Sequence, residues 1–137
     1  MKKNKLEKYS EEIRRNLYNC LTVINSVSSP IYSGKVRECY ELDKKFALVT
    51  TDRQSAFDRV LASVPFKGQV LNMISAWWFE KTGHIMKNHL IEVPDPNISV
   101  VEKCAPFPVE FVVRGYITGS SNTSLWTNYA AGKRNYC

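Results

Sequence analysis

The chain has 137 residues, 44% of them hydrophobic and 23% charged, and its 19 Lys and Arg against 13 Asp and Glu leave a formal charge of +6. That composition excludes a disordered or fibrous chain and predicts one ordinary domain, or one lobe of something larger, with its own core. The surplus of cations favours anionic partners such as nucleotides, sugar phosphates, nucleic acid or anionic lipid, without choosing among them. Cys20, Cys39, Cys104 and Cys137 are scattered with no C-x-x-C pair, so they indicate neither a metal site nor a disulfide framework. The start, "MKKNKLEKYSEEIRRNL", is charged throughout, and no later stretch approaches the roughly 20 apolar residues of a membrane span, so a cytoplasmic address with no membrane partner is expected.

Leu6, Tyr9, Ile13, Leu17, Cys20, Leu21 and Ile24 recur at spacings of three and four, which predicts an amphipathic docking helix over residues 5–25. "SVSSPIYSGK" breaks that pattern as a linker. "VRECYEL" and "FALVTT" are β-rich runs around a short polar connection and predict a hairpin over 36–51. "RVLASVPFKG" reads as a short strand ending in a Pro/Gly turn. Val70, Leu71, Ile74, Trp77 and Trp78 give one apolar face to a helix over 69–82, with Gly83 at its C-cap. "HLIEV" and "ISVVEKC" predict strands on either side of the "PDPN" turn. "VEFVVRGYI" carries the strongest strand signal of all, and "SLWTNYAAG" a short helix with capping candidates from Ser121 to Ser124 and a stop at Gly132. The order predicts an α+β fold with a mostly antiparallel sheet and flanking helices.

Three stretches carry candidate chemistry. In "SGKVR" (33–37), Gly34 lets the backbone approach a ligand, and Lys35 and Arg37, two apart on a strand, would reach one polyphosphate from the same face. The plain alternative is a glycine turn beside basic residues on a solvated strand. In "TTDRQSAFDRV" (50–60), Asp52, Arg53, Ser55, Asp58 and Arg59 cluster at a probable strand end, where carboxylates would hold a metal or an amine and Arg53 a carboxylate or phosphate. The alternative is a loop laced by its own ion pairs and Asx turns. In "EFVVRGYITGSSNTS" (110–124), a strand delivers Arg114 six residues before Ser120. If Thr118 to Ser121 lead into a helix, its free N–H groups attract an anion; otherwise Gly119 and Ser120 form only a turn and Arg114 pairs with an acid such as Glu110.

Taken together, the three stretches resemble the phosphoribosylaminoimidazole-succinocarboxamide synthase, or SAICAR synthetase, family of purine biosynthesis. "GKVRECY" (34–40) looks like its G-K-V-R-D-x-Y signature, "TDRQSAFD" (51–58) like T-D-R-I-S-A-F-D and "VVRGYITGS" (112–120) like V-V-R-G-Y-[LI]-T-G-S, in the family's order, with "PFKGQVLNMIS" (65–75) between the second and third. Glu38 stands where the family usually has Asp, and Gln54 where it usually has Ile.

The resemblance implies the N-terminal lobe of a SAICAR synthetase-like (ATP-grasp/kinase-like) fold, with residues 1–31 as helix and linker, 32–137 as the ATP- and substrate-binding lobe, and the C-terminal catalytic half absent. It implies an ATP-dependent ligase that joins carboxyaminoimidazole ribonucleotide (CAIR) to L-aspartate, giving SAICAR, ADP and phosphate, with ATP as co-substrate and Mg²⁺ as cofactor. Carried over, Gly34, Lys35, Arg37 and Glu110 become ATP contacts, and Asp52, Arg53, Ser55, Asp58, Arg114 and Ser120 substrate contacts. No residue receives a catalytic role and none here is a metal ligand, the acidic metal-binding motif being expected in the absent half. The 137-residue chain alone is therefore expected to show little or no ligase activity and to expose apolar surface. Assembly stays open between monomer and homo-oligomer. Two other readings stand beside this one: a non-catalytic nucleotide-binding fragment, which shares the same sites, and a small basic nucleic-acid-binding module, disfavoured because no basic run has aromatics interleaved.

Overall fold

The computed structural model describes residues 2–25, 28–109, 111, 113 and 115–136, and for 2–8 the backbone alone. It forms two compact units, Met1–Cys104 and Ala105–Cys137. The expected boundary at residue 31 falls inside the first.

The first unit is built on a five-stranded antiparallel sheet in the order β1-β2-β3-β7-β6. Its strands are β1 (Tyr32–Ser33), β2 (Arg37–Leu42), β3 (Lys45–Thr50), β6 (Leu90–Asp95) and β7 (Ile98–Glu102). The predicted hairpin over 36–51 is the pairing of β2 with β3, in register from Arg37 opposite Thr50 to Leu42 opposite Lys45. The "PDPN" turn joins β6 to β7, where the Asn97 N–H donates to Asp95 Oδ1 at 2.8 Å. Pro94 is tolerated within β6 because that strand lies at the sheet edge, where a missing N–H breaks no internal ladder.

Opposed residues share a face, so Tyr40, Ala47, Val49, Val100 and Ile98 line one side of the sheet. There Tyr40, Ala47 and Val49 are buried, with Leu21, Ile24 and Ile98 packed on them. The helix α2 (Lys67–Thr82) lies on the other side, where Ser99 Oγ donates to Asn72 Oδ1 at 2.8 Å and a cavity of about 60 Å³ separates Asn72 and Phe79 from Leu48 and Val101. The residue before α2, Phe66, has φ 63, a strained conformation for a large side chain. It is held there because Lys67 and Gly68, directly after it, are both tied back to the loop at 52–53.

Three expectations need correction. The helix predicted over 5–25 is α1 (Lys2–Arg15), and it ends ten residues early. Asn16 Nδ2 donates to the Glu12 carbonyl at 2.9 Å, and Leu21 and Ile24 leave the helical pattern to cover the sheet from an irregular segment. Among the described residues of 109–117 none lies in a strand, and Phe111 and Val113 are exposed, Val113 at 96%. β propensity counts only where a pleated surface has a partner to pack against. The residues before Arg59, read as a strand end and loop, instead contain β4 (Arg53–Ala56), which pairs with the expected strand from Arg59, β5 (Arg59–Ser63), in a second small sheet.

The residues expected to form an apolar inner face of α2 do not face the core. The buried residues of α2 are Gly68 and Asn72, while Val70, Ile74, Trp77 and Trp78 are about half exposed. The second unit holds α3 (Leu125–Ala130), capped by Ser124, whose Oγ accepts from the Thr127 N–H at 3.3 Å.

Candidate functional site

The sheet places a tight turn, residues 34–36, between β1 and β2. Gly34 N–H donates to the Arg37 carbonyl at 2.7 Å and closes it. A Cβ on Gly34 would stand 3.1 Å from that same oxygen, so the turn takes a larger residue only by shifting. The Val36 carbonyl accepts twice from Thr51, from its N–H at 2.9 Å and its Oγ at 2.8 Å. The first candidate stretch is thus sewn to the second.

Arg53, at the start of β4, completes that seam. Its Nη2 donates to the Gly34 carbonyl at 3.1 Å and to Glu38 Oε1 at 2.7 Å, and its Nη1 to the Thr22 carbonyl at 3.4 Å. The Arg53 side chain is 18% exposed and that of Glu38 9%. Burial alone would raise the Glu38 carboxyl, but hydrogen bonds from Ser33 and Arg53, together with the Arg53 charge, hold it below its ordinary value.

Lys35, at the tip of the turn, pairs with Asp58. Phe57 and Asp58, with φ 49 and 63, form the left-handed turn that joins β4 to β5. The bond to Asp58, and then its charge, raise the Lys35 ammonium above its ordinary value; the same contact lowers the Asp58 carboxyl. Both side chains are largely solvated, so an incoming anion meets a pair that opens at little cost.

Asp52 is buried and fully engaged. Its Oδ2 accepts from the Leu21 N–H and its Oδ1 from the Gly68 N–H, both at 2.8 Å. Ser55 lies half-buried in β4. Arg37 is exposed at the head of β2 and lines the small cavity against α2, so Lys35 and Arg37 have different neighbours: Lys35 sits on the turn before the strand, which breaks the two-residue alternation expected of them.

In the second unit Glu110 and Arg114 lie outside the described residues. Ser120 is exposed, four residues before the cap of α3, so the helix expected directly after Thr118 to Ser121 begins later. An open concavity of about 610 Å³ is lined by Gly115 to Gly119, Ser121, Ser124 and Leu125. Gly119 has φ 138, and a Cβ there would fall 2.3 Å from that of Ser124, so glycine is required for the chain to fold back on the cap.

Sequence reasoning missed Thr51, Lys67 and Gly68. Lys67 Nζ donates to the Arg53 carbonyl at 3.0 Å, and Gly68 packs against the Thr50 carbonyl. A glycine inside the first turn of an apolar helix is the signal that pointed there. In the second stretch the ion pairs reach outward, Asp58 to Lys35 and Arg53 to Glu38, rather than closing among its own charges.

These features define an α+β lobe whose antiparallel sheet carries a glycine turn clamped by an arginine and tipped by a lysine. The family profile described as SAICAR synthetase matches residues 30–135. A phosphoribosylaminoimidazole-succinocarboxamide synthase of Legionella pneumophila (strain Lens) is 61% identical over 118 residues, which cover 86% of this chain and 38% of that protein. A chloroplastic one from Vigna aconitifolia is 57% identical over 122 residues, covering 89% and 35%. Among solved structures, the SAICAR-synthase of Saccharomyces cerevisiae complexed with SAICAR superposes with a TM-score of 0.68 at 30% identity, over 80% of this chain and 44% of that one. A type-2 SAICAR synthetase in complex with ADP gives 0.52 at 30% identity, over 56% and 34%. The chain belongs to the SAICAR synthetase family, and it spans well under half the length of the relatives it matches.

Proposed function

We propose that this chain is the N-terminal, nucleotide-covering part of an ATP-dependent ligase that joins CAIR to L-aspartate, with release of ADP and phosphate, in purine biosynthesis. The observation that carries the reading is the turn at 34–36: its carbonyls at Gly34 and Val36 are bonded inward while Lys35 stands at its solvated tip. A turn built this way offers a cation and a close backbone to phosphate oxygens, the stabilisation that phosphoryl transfer needs most. Gly34, Lys35 and Arg37 are its ATP contacts, with Glu110 toward the adenosine. Ser55, and by the family resemblance Arg114 and Ser120, are the proposed contacts to the anionic groups of CAIR or aspartate, while Asp52 acts by fixing the segment that leads into β4 and Arg53.

ATP is the co-substrate in this reading. Among the described residues no three His, Cys, Asp or Glu gather to hold a metal, and the acids beside the turn, Glu38 and Asp58, are already paired. Neither acid is free to hold Mg²⁺, and the ion, which the resemblance assigns to acidic residues beyond this stretch, enters no step here. The setting is cytoplasmic, and no described helix is long and apolar enough to cross a membrane.

Calorimetric titration of the 137-residue chain with ADP and with ATP tests the reading. Saturable binding of both is expected, with little or no SAICAR formed when CAIR and aspartate are added. A chain that binds neither nucleotide refutes it, and turnover by this chain alone refutes the assignment of part of the machinery to the remainder of the family-length protein.

A further inference from the structure

We infer that Arg53 is a positioning residue, not a substrate ligand: with its charge matched by Glu38, it holds the Gly34 carbonyl directly and so sets the shape of the turn that presents Lys35. Its functional consequence rests on the nucleotide reading above. Three acceptors from three segments converge on one guanidinium: the turn at Gly34, strand β2 at Glu38, and the covering segment at Thr22. A planar fork of donors suits that convergence, and a lysine ammonium does not. The charge is matched by Glu38 in a site from which water is largely excluded, so Arg53 has no free charge to lend an anion.

Lys35 differs in each respect. Its partner Asp58 is on the exposed hairpin turn, and the pair is open to solvent on both sides. The two joints between β4–β5 and the turn therefore have separate duties. The buried joint at Arg53 holds the backbone, and the exposed joint at Lys35 yields to the ligand. Neighbouring Thr51 reinforces the first by holding the Val36 carbonyl, and Lys67 by bonding the Arg53 carbonyl itself.

The test uses the whole chain with two independent readouts: exchange of the Gly34 amide, protected by its bond to the Arg37 carbonyl, and affinity for ADP. The single change R53M strands a buried carboxylate and endangers folding, so the informative variants are R53K, which keeps the charge without the fork, and R53M/E38Q, which removes both charges together. In each the Gly34 amide is expected to exchange at least about tenfold faster, while β3 amides stay within about twofold of wild type. ADP affinity should fall about tenfold, while E38D, which keeps a carboxylate for Arg53, should retain both properties within about threefold. Unchanged Gly34 protection in R53K and R53M/E38Q would overturn the inference, as would lost protection with undiminished ADP affinity. If the wild-type chain binds no ADP, the nucleotide reading fails, and amide exchange alone still decides whether Arg53 sets the turn.

Discussion

Replacing Gly68 by Ala tests the packing on which the site rests. A Cβ at this position would lie 2.4 Å from the Thr50 carbonyl oxygen, 2.6 Å from Asn97 Nδ2 and 3.0 Å from the Thr51 carbonyl carbon. Two of those atoms are backbone and the third is held by its own bond to the Thr50 carbonyl at 2.7 Å, so the helix must move by about 1 Å to reach ordinary contact. Overpacking of that kind costs about 2 kcal/mol. The shift also stretches the bond from the Gly68 N–H to Asp52 Oδ1, a charge-assisted contact worth about 2 kcal/mol. The better helix propensity of Ala returns about 1 kcal/mol, which leaves a net loss of about 3 kcal/mol. With a urea slope of about 1.5 kcal/mol/M, the unfolding midpoint should drop by about 2 M. Gly83→Ala is the control: its φ is −57, and the Phe79 carbonyl oxygen at 3.3 Å from its Cβ need give only a few tenths of an ångström at the C-terminal end of α2, so its midpoint should move far less than that of G68A. A G68A midpoint within about 0.5 M of wild type would refute the claim that α2 is locked onto the loop at 50–52.

Phe57 is 97% exposed in a left-handed turn, so F57N sacrifices almost no burial and relieves backbone strain. It should stabilise the chain by about 0.5–1 kcal/mol in thermal melts, and a lower Tm would contradict the turn assignment. The Glu38 carboxyl is held below its ordinary value of 4.5, so its contribution to stability is fully present above that pH and is lost as pH falls through the lower folded value. Urea midpoints between about pH 5 and pH 3 should therefore decline more steeply for wild type than for E38Q; parallel declines would show the ion pair with Arg53 to be idle. D58N frees Lys35 and should tighten ADP binding about threefold at low salt, with the advantage shrinking as salt rises; weaker binding would mean that Asp58 helps hold the ligand.

The parts of this fold that were legible in the sequence are those in which local pattern and tertiary packing agree. The β-rich runs "VRECYEL" and "FALVTT" give β2 and β3, and two prolines mark the β6–β7 turn. The α+β architecture followed from these. The misreadings have a common cause. Leu21 and Ile24 keep helical spacing yet lie in a non-helical segment, because covering Tyr40 and Val49 and bonding Asp52 outweigh local preference. The β4–β5 hairpin lacks the Asn or Gly that would announce it, since its left-handed positions are filled by Phe57 and Asp58. The motif residues were legible as a set, but not their duties. Nothing in residue spacing says that Arg53 is matched by Glu38, fifteen positions earlier, while Lys35 meets Asp58 in the open.

In the proposed nucleotide reading, that division of charge lets one short turn be both rigid and receptive. An anion site made of backbone needs a fixed geometry before the ligand arrives, because any ordering left to the binding step is subtracted from affinity. Here the geometry is fixed from the rear, by bonds to the Gly34 and Val36 carbonyls from Arg53 and Thr51, groups that gain nothing from contact with the ligand. The front keeps a lysine whose carboxylate partner has the same charge sign as a phosphate oxygen and sits in water, so exchanging one for the other requires little desolvation. Had the buried and exposed pairs been interchanged, with Lys35 matched in the interior and Arg53 held at the surface, the turn would lose its support and the ligand its cation. The order of the two joints along β4 and its following turn, strut first and latch five residues later, is therefore the feature of this lobe on which the proposed phosphate recognition rests.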